Sequence, residues 1–142
     1  MLIDRTLQKT TVIHATTEAV WDALINPAKI KEYLYGTDTE CDWKEGSPLV
    51  FRGQYDGHTY EDRGTILDIE PGRSLSYSYW SSMSPLPDLP ENYATVSFQL
   101  LPANGAITLQ LTQRGFTSEE GFSHSDTGWD QVLQKLKEIA ER

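Results

Sequence analysis

Glu61 and Arg63 stand two positions apart in a segment of strand-like periodicity, so their side chains share one face. Buried together, a carboxylate and a guanidinium must pair or be solvated. Two chemistries fit this placement: Arg63 orienting an anionic ligand, or Glu61 acting as a base. The plainer alternative is a structural or rim salt bridge. Tyr55, Tyr77 and Tyr79 each bring a hydroxyl that needs a partner if buried. A packed core uses Phe at lower cost, so these tyrosines favour a partly wet pocket in which water or a ligand meets them. His14, His58 and His124 are widely separated, and no pair has metal-ligand spacing. Cys41 has no activating histidine or cation evident beside it and reads as a half-buried strand residue. No Gly-x-Ser-x-Gly elbow, Walker loop or dinucleotide fingerprint occurs. The reading therefore assigns no catalytic residue, no metal and no cofactor.

The elements that must position these residues follow from periodicity. Thr6 to His14 is β-branched and alternating, which predicts a strand. Thr16 or Thr17 can cap a helix whose apolar face is Val20, Trp21, Leu24 and Ile25, with Glu18 in its first turn. Asn26-Pro27 ends that helix and starts another, anchored by Ile30, Tyr33 and Leu34 and stopped by Gly36. From Thr37 the period becomes two. Strands are predicted over Thr37 to Trp43, Leu49 to Tyr55, His58 to Glu70, Arg73 to Ser81, Asn92 to Leu101 and Ala106 to Arg114. Asp56-Gly57 and Asn104-Gly105 are two-residue hairpin signals, and Glu70-Pro71-Gly72-Arg73 is a turn. Helical spacing returns with Trp129, Val132, Leu133, Leu136 and Ala140. The cap is expected within Ser123 to Asp126, giving about 16 helical residues spanning about 24 Å.

Each strand after the second helix has one apolar and one polar face, so one side of an antiparallel sheet is wet and the other covered. The long terminal helix is the natural cover, and a strongly twisted sheet curls around it. The space between them is the expected pocket. Its inner wall is read as Leu49, Phe51, Tyr55, Leu67, Ile69, Leu75, Tyr77, Tyr79, Val96, Phe98, Leu100, Leu109 and Leu111. Strand parity adds Gly53, Glu61, Arg63, Thr65 and Gln113, unless a bulge reverses part of the set. Ser82 to Pro90, with prolines at 85, 87 and 90, is a loop that can lie over the mouth, using Trp80, Met83, Leu86 and Leu89 as apolar contacts; a passive connection is the alternative.

Composition bounds the function classes. At 142 residues the expectation is one domain, 1–142, large enough for a core without staples. A net charge of −9 argues against nucleic acid and against an anionic membrane surface as partners. The single cysteine excludes an internal disulfide and suggests a reducing compartment. The first residues lack the cationic start and apolar run of a secretory signal, and no apolar stretch approaches about 18 residues. A cytoplasmic location is the expectation.

The ordered motifs also resemble a known family. Ile13-His14-Ala15-Thr16-Thr17-Glu18-Ala19-Val20-Trp21-Asp22-Ala23-Leu24 is similar to the strand, cap and Val-Trp-x-x-Leu helix of the START-like (SRPBCC, helix-grip) superfamily. Within it, the chain resembles proteins related to the C-terminal domain of the activator of heat-shock-protein-90 ATPase. Asn26-Pro27 with Ile30 and Tyr33-Leu34, Gly64-Thr65-Ile66-Leu67-Asp68-Ile69-Glu70-Pro71, Leu75-Ser76-Tyr77, and Gly128-Trp129 with Leu133 and Leu136 carry the rest of the likeness. The resemblance implies an α+β helix-grip fold: a curved antiparallel sheet of six or seven strands around a long C-terminal helix, with two short helices after the first strand. It implies that stand-alone relatives of this size bind a small apolar ligand. The expected function is non-catalytic binding of a small hydrophobic or aromatic molecule, by a monomer or homodimer. The expected ligand-binding residues are Phe51, Tyr55, Glu61, Arg63, Tyr77, Tyr79, Phe98, Trp129, Val132, Leu133 and Leu136. Two alternatives stand beside it: a chaperone-activator-like interaction module with a chaperone as partner, and a cyclase or hydrolase using Glu61, Arg63 and the tyrosines.

Overall fold

The computed structural model describes residues 2–142, with the backbone alone at Tyr55. Strand β1 (Ile3–Ile13) is followed by helices α1 (Thr17–Ile25) and α2 (Pro27–Tyr33). Strands β2 (Asp38–Cys41), β3 (Pro48–Tyr55), β4 (His58–Glu70), β5 (Ser74–Tyr79), β6 (Ala94–Ala103) and β7 (Ala106–Phe116) come next, and helix α3 (Glu119–Glu141) ends the chain. The strands form one antiparallel sheet in the order β1-β7-β6-β5-β4-β3-β2. This is the curved sheet with a terminal helix and two short helices that the sequence pattern implies.

Local chemistry sets the boundaries. The Thr16 hydroxyl accepts from the Ala19 amide at 3.1 Å and caps α1. Asn26 closes α1 and caps α2, its side-chain oxygen accepting from the Ala28 amide at 3.0 Å, with Pro27 in the first turn. Helix α3 departs from expectation. It runs 23 residues and is capped by Ser118, whose hydroxyl accepts from the Gly121 amide at 3.0 Å. Gly121 and Gly128 lower local helix propensity and hide this start in the sequence. Packing restores it: Phe122 stacks edge-on against Phe116, with centroids 5.0 Å apart, fixing the entry of the helix.

The core lies between the concave face of the sheet and the helices. Ile13, Leu49, Ile66, Leu75, Leu109, Leu111 and Leu136 are its most deeply buried large side chains, with Val20 from α1. Helix α3 lies against β1, α1 and α2 and stands off from the middle strands. Ion pairs Arg5–Glu119, Lys9–Asp126 and Lys9–Asp130 tie it to β1, and the Lys137 ammonium donates to the Val12 carbonyl at 2.8 Å. Aromatic side chains from β3, β5 and β6 rise into the space this offset leaves. No helix among the described residues is long and apolar enough to cross a membrane.

One strand reverses its expected facing. Ile66 pairs with Tyr77 but Asp68 pairs with Ser76, so Leu67 is the extra residue of a β-bulge. Beyond the bulge Ile69 faces Leu75 on the covered side; before it the even-numbered residues turn inward. Ile66 is 1% exposed and Leu67 is 44% exposed. Leu67, Thr65, Arg63 and Glu61, all expected on the inner wall, therefore belong to the outer face.

Candidate functional site

A cavity of about 400 Å³ opens between the concave sheet and α3. Phe51 on β3, Tyr77 and Tyr79 on β5, Val96 on β6 and Trp129 on α3 form its apolar wall. Tyr35, Gln54, Met83 and Ser125 line it too, and the first three are exposed, which marks the mouth. A small deeper void of about 30 Å³ adjoins it beneath Tyr33, Leu49 and Phe98. The wall is a continuous aromatic chain. Ring centroids lie 6.0 Å apart for Phe51–Tyr79, 6.3 Å for Phe51–Tyr77, 6.5 Å for Tyr77–Phe98 and 5.9 Å for Phe98–Trp129. Tilted and edge-on contacts of this kind hold rings rigidly while leaving some faces free.

Polar groups occur at chosen points of this wall. Asp62, on the inward side of β4, is 8% exposed. The Tyr79 hydroxyl donates to its Oδ2 at 2.5 Å, and Ser82 donates to its Oδ1 from the backbone amide at 3.0 Å and from the hydroxyl at 3.3 Å. Burial first, and then the neighbouring Asp62 carboxylate, push the Tyr79 phenol well above its ordinary value. Tyr77 is 9% exposed, and burial raises its phenol with no hydrogen bond contributing. Gln113 accepts from the Trp129 indole N–H at 2.6 Å, which fixes the angle of that ring. The Tyr60 hydroxyl is 2.5 Å from the Thr37 hydroxyl. Tyr60 lies across Gly53, where a Cβ would come within 2.4 Å of its oxygen. Gly53 thus leaves the space that Tyr60 fills.

Glu61 and Arg63 lie elsewhere. Neither lines the cavity, and both side chains are substantially exposed on the outer face. Arg52 Nε donates to Glu61 Oε1 at 2.8 Å, and Arg63 donates to Glu61 Oε2 at 2.8 Å. Glu40 pairs with Arg52 at one end and Asp88 with Arg63 at the other, so the pair belongs to a chain of rim ion pairs across β2, β3, β4 and the 81–91 loop. Arg52 first, then Arg63, hold the Glu61 carboxyl below its ordinary value. A carboxylate stabilised in its charged form is a poor general base near neutral pH. The two residues are corrected from cavity groups to rim groups.

The other expected site residues divide cleanly. Phe51, Tyr77, Tyr79 and Trp129 line the cavity, and Phe98 lines the deeper void. Val132, Leu133 and Leu136 are buried core of α3 and line neither space. The Tyr55 side chain lies outside the described residues. Asp62 and Tyr60 are hidden in the sequence because the parity set by Leu67 and Ile69 reverses at the bulge. The signal that would have found them is the Asp56-Gly57 hairpin. A two-residue turn pairs Tyr55 with His58, Gly53 with Tyr60 and Phe51 with Asp62, and directly paired residues share a face. Once Phe51 points inward, Asp62 must as well. The 81–91 loop contributes Met83 to the mouth and is anchored by Ser82 to Asp62 and by backbone hydrogen bonds between Arg63 and Trp80. Among the described residues no cluster of three His, Cys, Asp or Glu side chains could hold a metal ion.

The chain is similar to proteins of known structure. The protein ChR145 from Cytophaga hutchinsonii is 42% identical, with 99% of this chain and 97% of that one covered and a TM-score of 0.84. CV1439 from Chromobacterium violaceum shares 22% identity over 96% of this chain and 97% of that one, with a TM-score of 0.80. The Aha1 dimer from Colwellia psychrerythraea shares 18% identity over 96% of each chain, with a TM-score of 0.74. At that identity these last two likenesses bear on the fold alone. No curated protein matches this chain. The family described as Activator of Hsp90 ATPase homolog 1-like protein matches residues 14–141, and the chain belongs to that family.

Proposed function

We propose that the protein binds a small hydrophobic or aromatic molecule, without transforming it, in the cavity between the sheet and α3. One observation carries the reading: a space of about 400 Å³, walled by aromatic rings and entered past exposed rim residues. Pockets of a few hundred Å³ with apolar walls and few polar groups are the usual form of small-molecule sites. The cyclase or hydrolase alternative, built on Glu61, Arg63 and the tyrosines, keeps Tyr77 and Tyr79 in the cavity but loses Glu61 and Arg63. A chaperone contact, which the family description suggests as a second reading, would use the outer surface, and no residue-level feature favours it over ligand binding.

Binding to the native state alone must raise the melting temperature. With 3-propylindole as a neutral aromatic probe, the expected result is a concentration-dependent rise in melting temperature. That rise should disappear in a Val96→Trp variant, whose added ring occupies the cavity. A flat response in the unsubstituted protein, together with no retained small molecule in native mass spectrometry of freshly purified material, would overturn the proposal.

A further inference from the structure

We propose that the cavity selects a cation: a small aromatic or alkyl amine whose ammonium group pairs with Asp62 while its apolar body lies against the aromatic wall. This inference rests on the ligand-binding reading and specifies its chemistry. Asp62 is a buried carboxylate whose hydrogen-bond partners, Tyr79 and Ser82, are all neutral. It has no salt-bridge partner among the described residues; the adjacent base, Arg63, is turned to the opposite face and engaged by Glu61 and Asp88. A charge withdrawn from water without a counter-ion is costly, and a ligand that supplies one recovers that cost on binding. A carboxylate offers about four acceptor positions. The Tyr79 and Ser82 donors take three, which leaves room for one more donor.

The rest of the wall agrees. Among the described residues lining the cavity, Asp62 is the only Asp or Glu, and there is no Lys, Arg or His. An anionic ligand would meet a carboxylate with nothing to neutralise either group. Phe51, Tyr77 and Trp129 line the same cavity, and a ring whose face meets a cation attracts it through its quadrupole. Tyr77, nine-tenths buried, brings to the same wall a hydroxyl that no described group hydrogen-bonds, and its oxygen can accept a second N–H. The charge of −9 on the whole chain favours the approach of a cation over that of an anion.

Three probes of matched shape test this by titration calorimetry near neutral pH: tryptamine (cationic), 3-propylindole (neutral) and indole-3-propionate (anionic). Tryptamine is expected to bind at least about tenfold more tightly than 3-propylindole, as a charge-assisted hydrogen bond in a buried site requires. Indole-3-propionate should be the weakest of the three. In Asp62→Asn the ratio of amine to neutral affinity should fall toward one, with folding checked by circular dichroism. If 3-propylindole binds as well as tryptamine, the cation preference is wrong while ligand binding stands. If the carboxylate binds best, the preference is likewise wrong. If none of the three binds, this inference falls, and the binding reading falls with it when native mass spectrometry also retains no small molecule. Should Asp62→Asn fail to fold, the three-probe ranking on the unsubstituted protein decides alone.

Discussion

Tyr77 and Tyr79 are neighbours on one face of β5, yet their hydroxyls have opposite standing. Tyr79 satisfies a buried carboxylate, whereas Tyr77 faces the cavity with no described partner. Removing a satisfied donor strands its acceptor; removing a hydroxyl that bonds no described group strands nothing. Tyr79→Phe should therefore lower the unfolding free energy by about 2 kcal/mol, and Tyr77→Phe should leave it within about 0.5 kcal/mol of its starting value. Urea denaturation of the unliganded protein measures both. Equal losses in the two variants would mean that the Tyr77 hydroxyl is as well bonded as that of Tyr79. The sequence was informative here up to a point. It marked tyrosines on an apolar stripe as a sign of a polar opening, because a phenol in a packed core is an expense that Phe avoids. It does not show which hydroxyl is met from within the protein, because a strand parity that ignores the bulge turns the answering group, Asp62, outward.

At the scale of the element, the displaced register of β4 explains that misplacement. Leu67 and Ile69 look alike in sequence and invite one parity for the whole strand. The bulge at Leu67 breaks the parity, and the hairpin at Asp56-Gly57 sets the other half. Gly64 fits this picture: a Cβ there would come within 1.7 Å of the Ser78 carbonyl oxygen, so the strands approach where a side chain has no room. The inversion has an energetic signature. Ile66→Ala deletes buried methyl groups and should cost about 3 kcal/mol, whereas Leu67→Ala removes exposed surface and should cost under about 1 kcal/mol. Chemical denaturation with constant slope would read both. The reverse ranking would restore the single-parity strand and return Glu61 and Arg63 to the cavity. Elements defined by caps and two-residue turns were legible to within a residue or two, because their signals are local. The bulge and the early start of α3 were not, because tertiary packing decides them against local propensity.

Across the whole molecule, the electrostatic balance is set by excess acid rather than by its ion pairs. Most of the pairs that join α3 to β1, and those along the β2–β4 rim, are between partly or fully exposed side chains. Exposed pairs are worth about 0–1 kcal/mol each and are screened by salt. Opposing them is the self-repulsion of a chain of net charge −9 and 142 residues, which is spread over the whole surface and screened by the same salt. The local pairs act at contact distance, where screening is incomplete; the repulsion acts over longer distances, where screening is most effective. Raising sodium chloride from about 0.01 M to about 0.5 M shortens the Debye length from about 30 Å to under 10 Å and should remove more repulsion than attraction. The melting temperature is expected to rise by a few degrees over that range. A steady fall instead would assign the stability of the α3–β1 junction to its ion pairs. The same field bears on the cavity, because salt that screens the net charge weakens the long-range approach of a cationic probe but leaves the desolvated contact at Asp62 largely intact. The dependence of association on salt should therefore lie mainly in the on-rate.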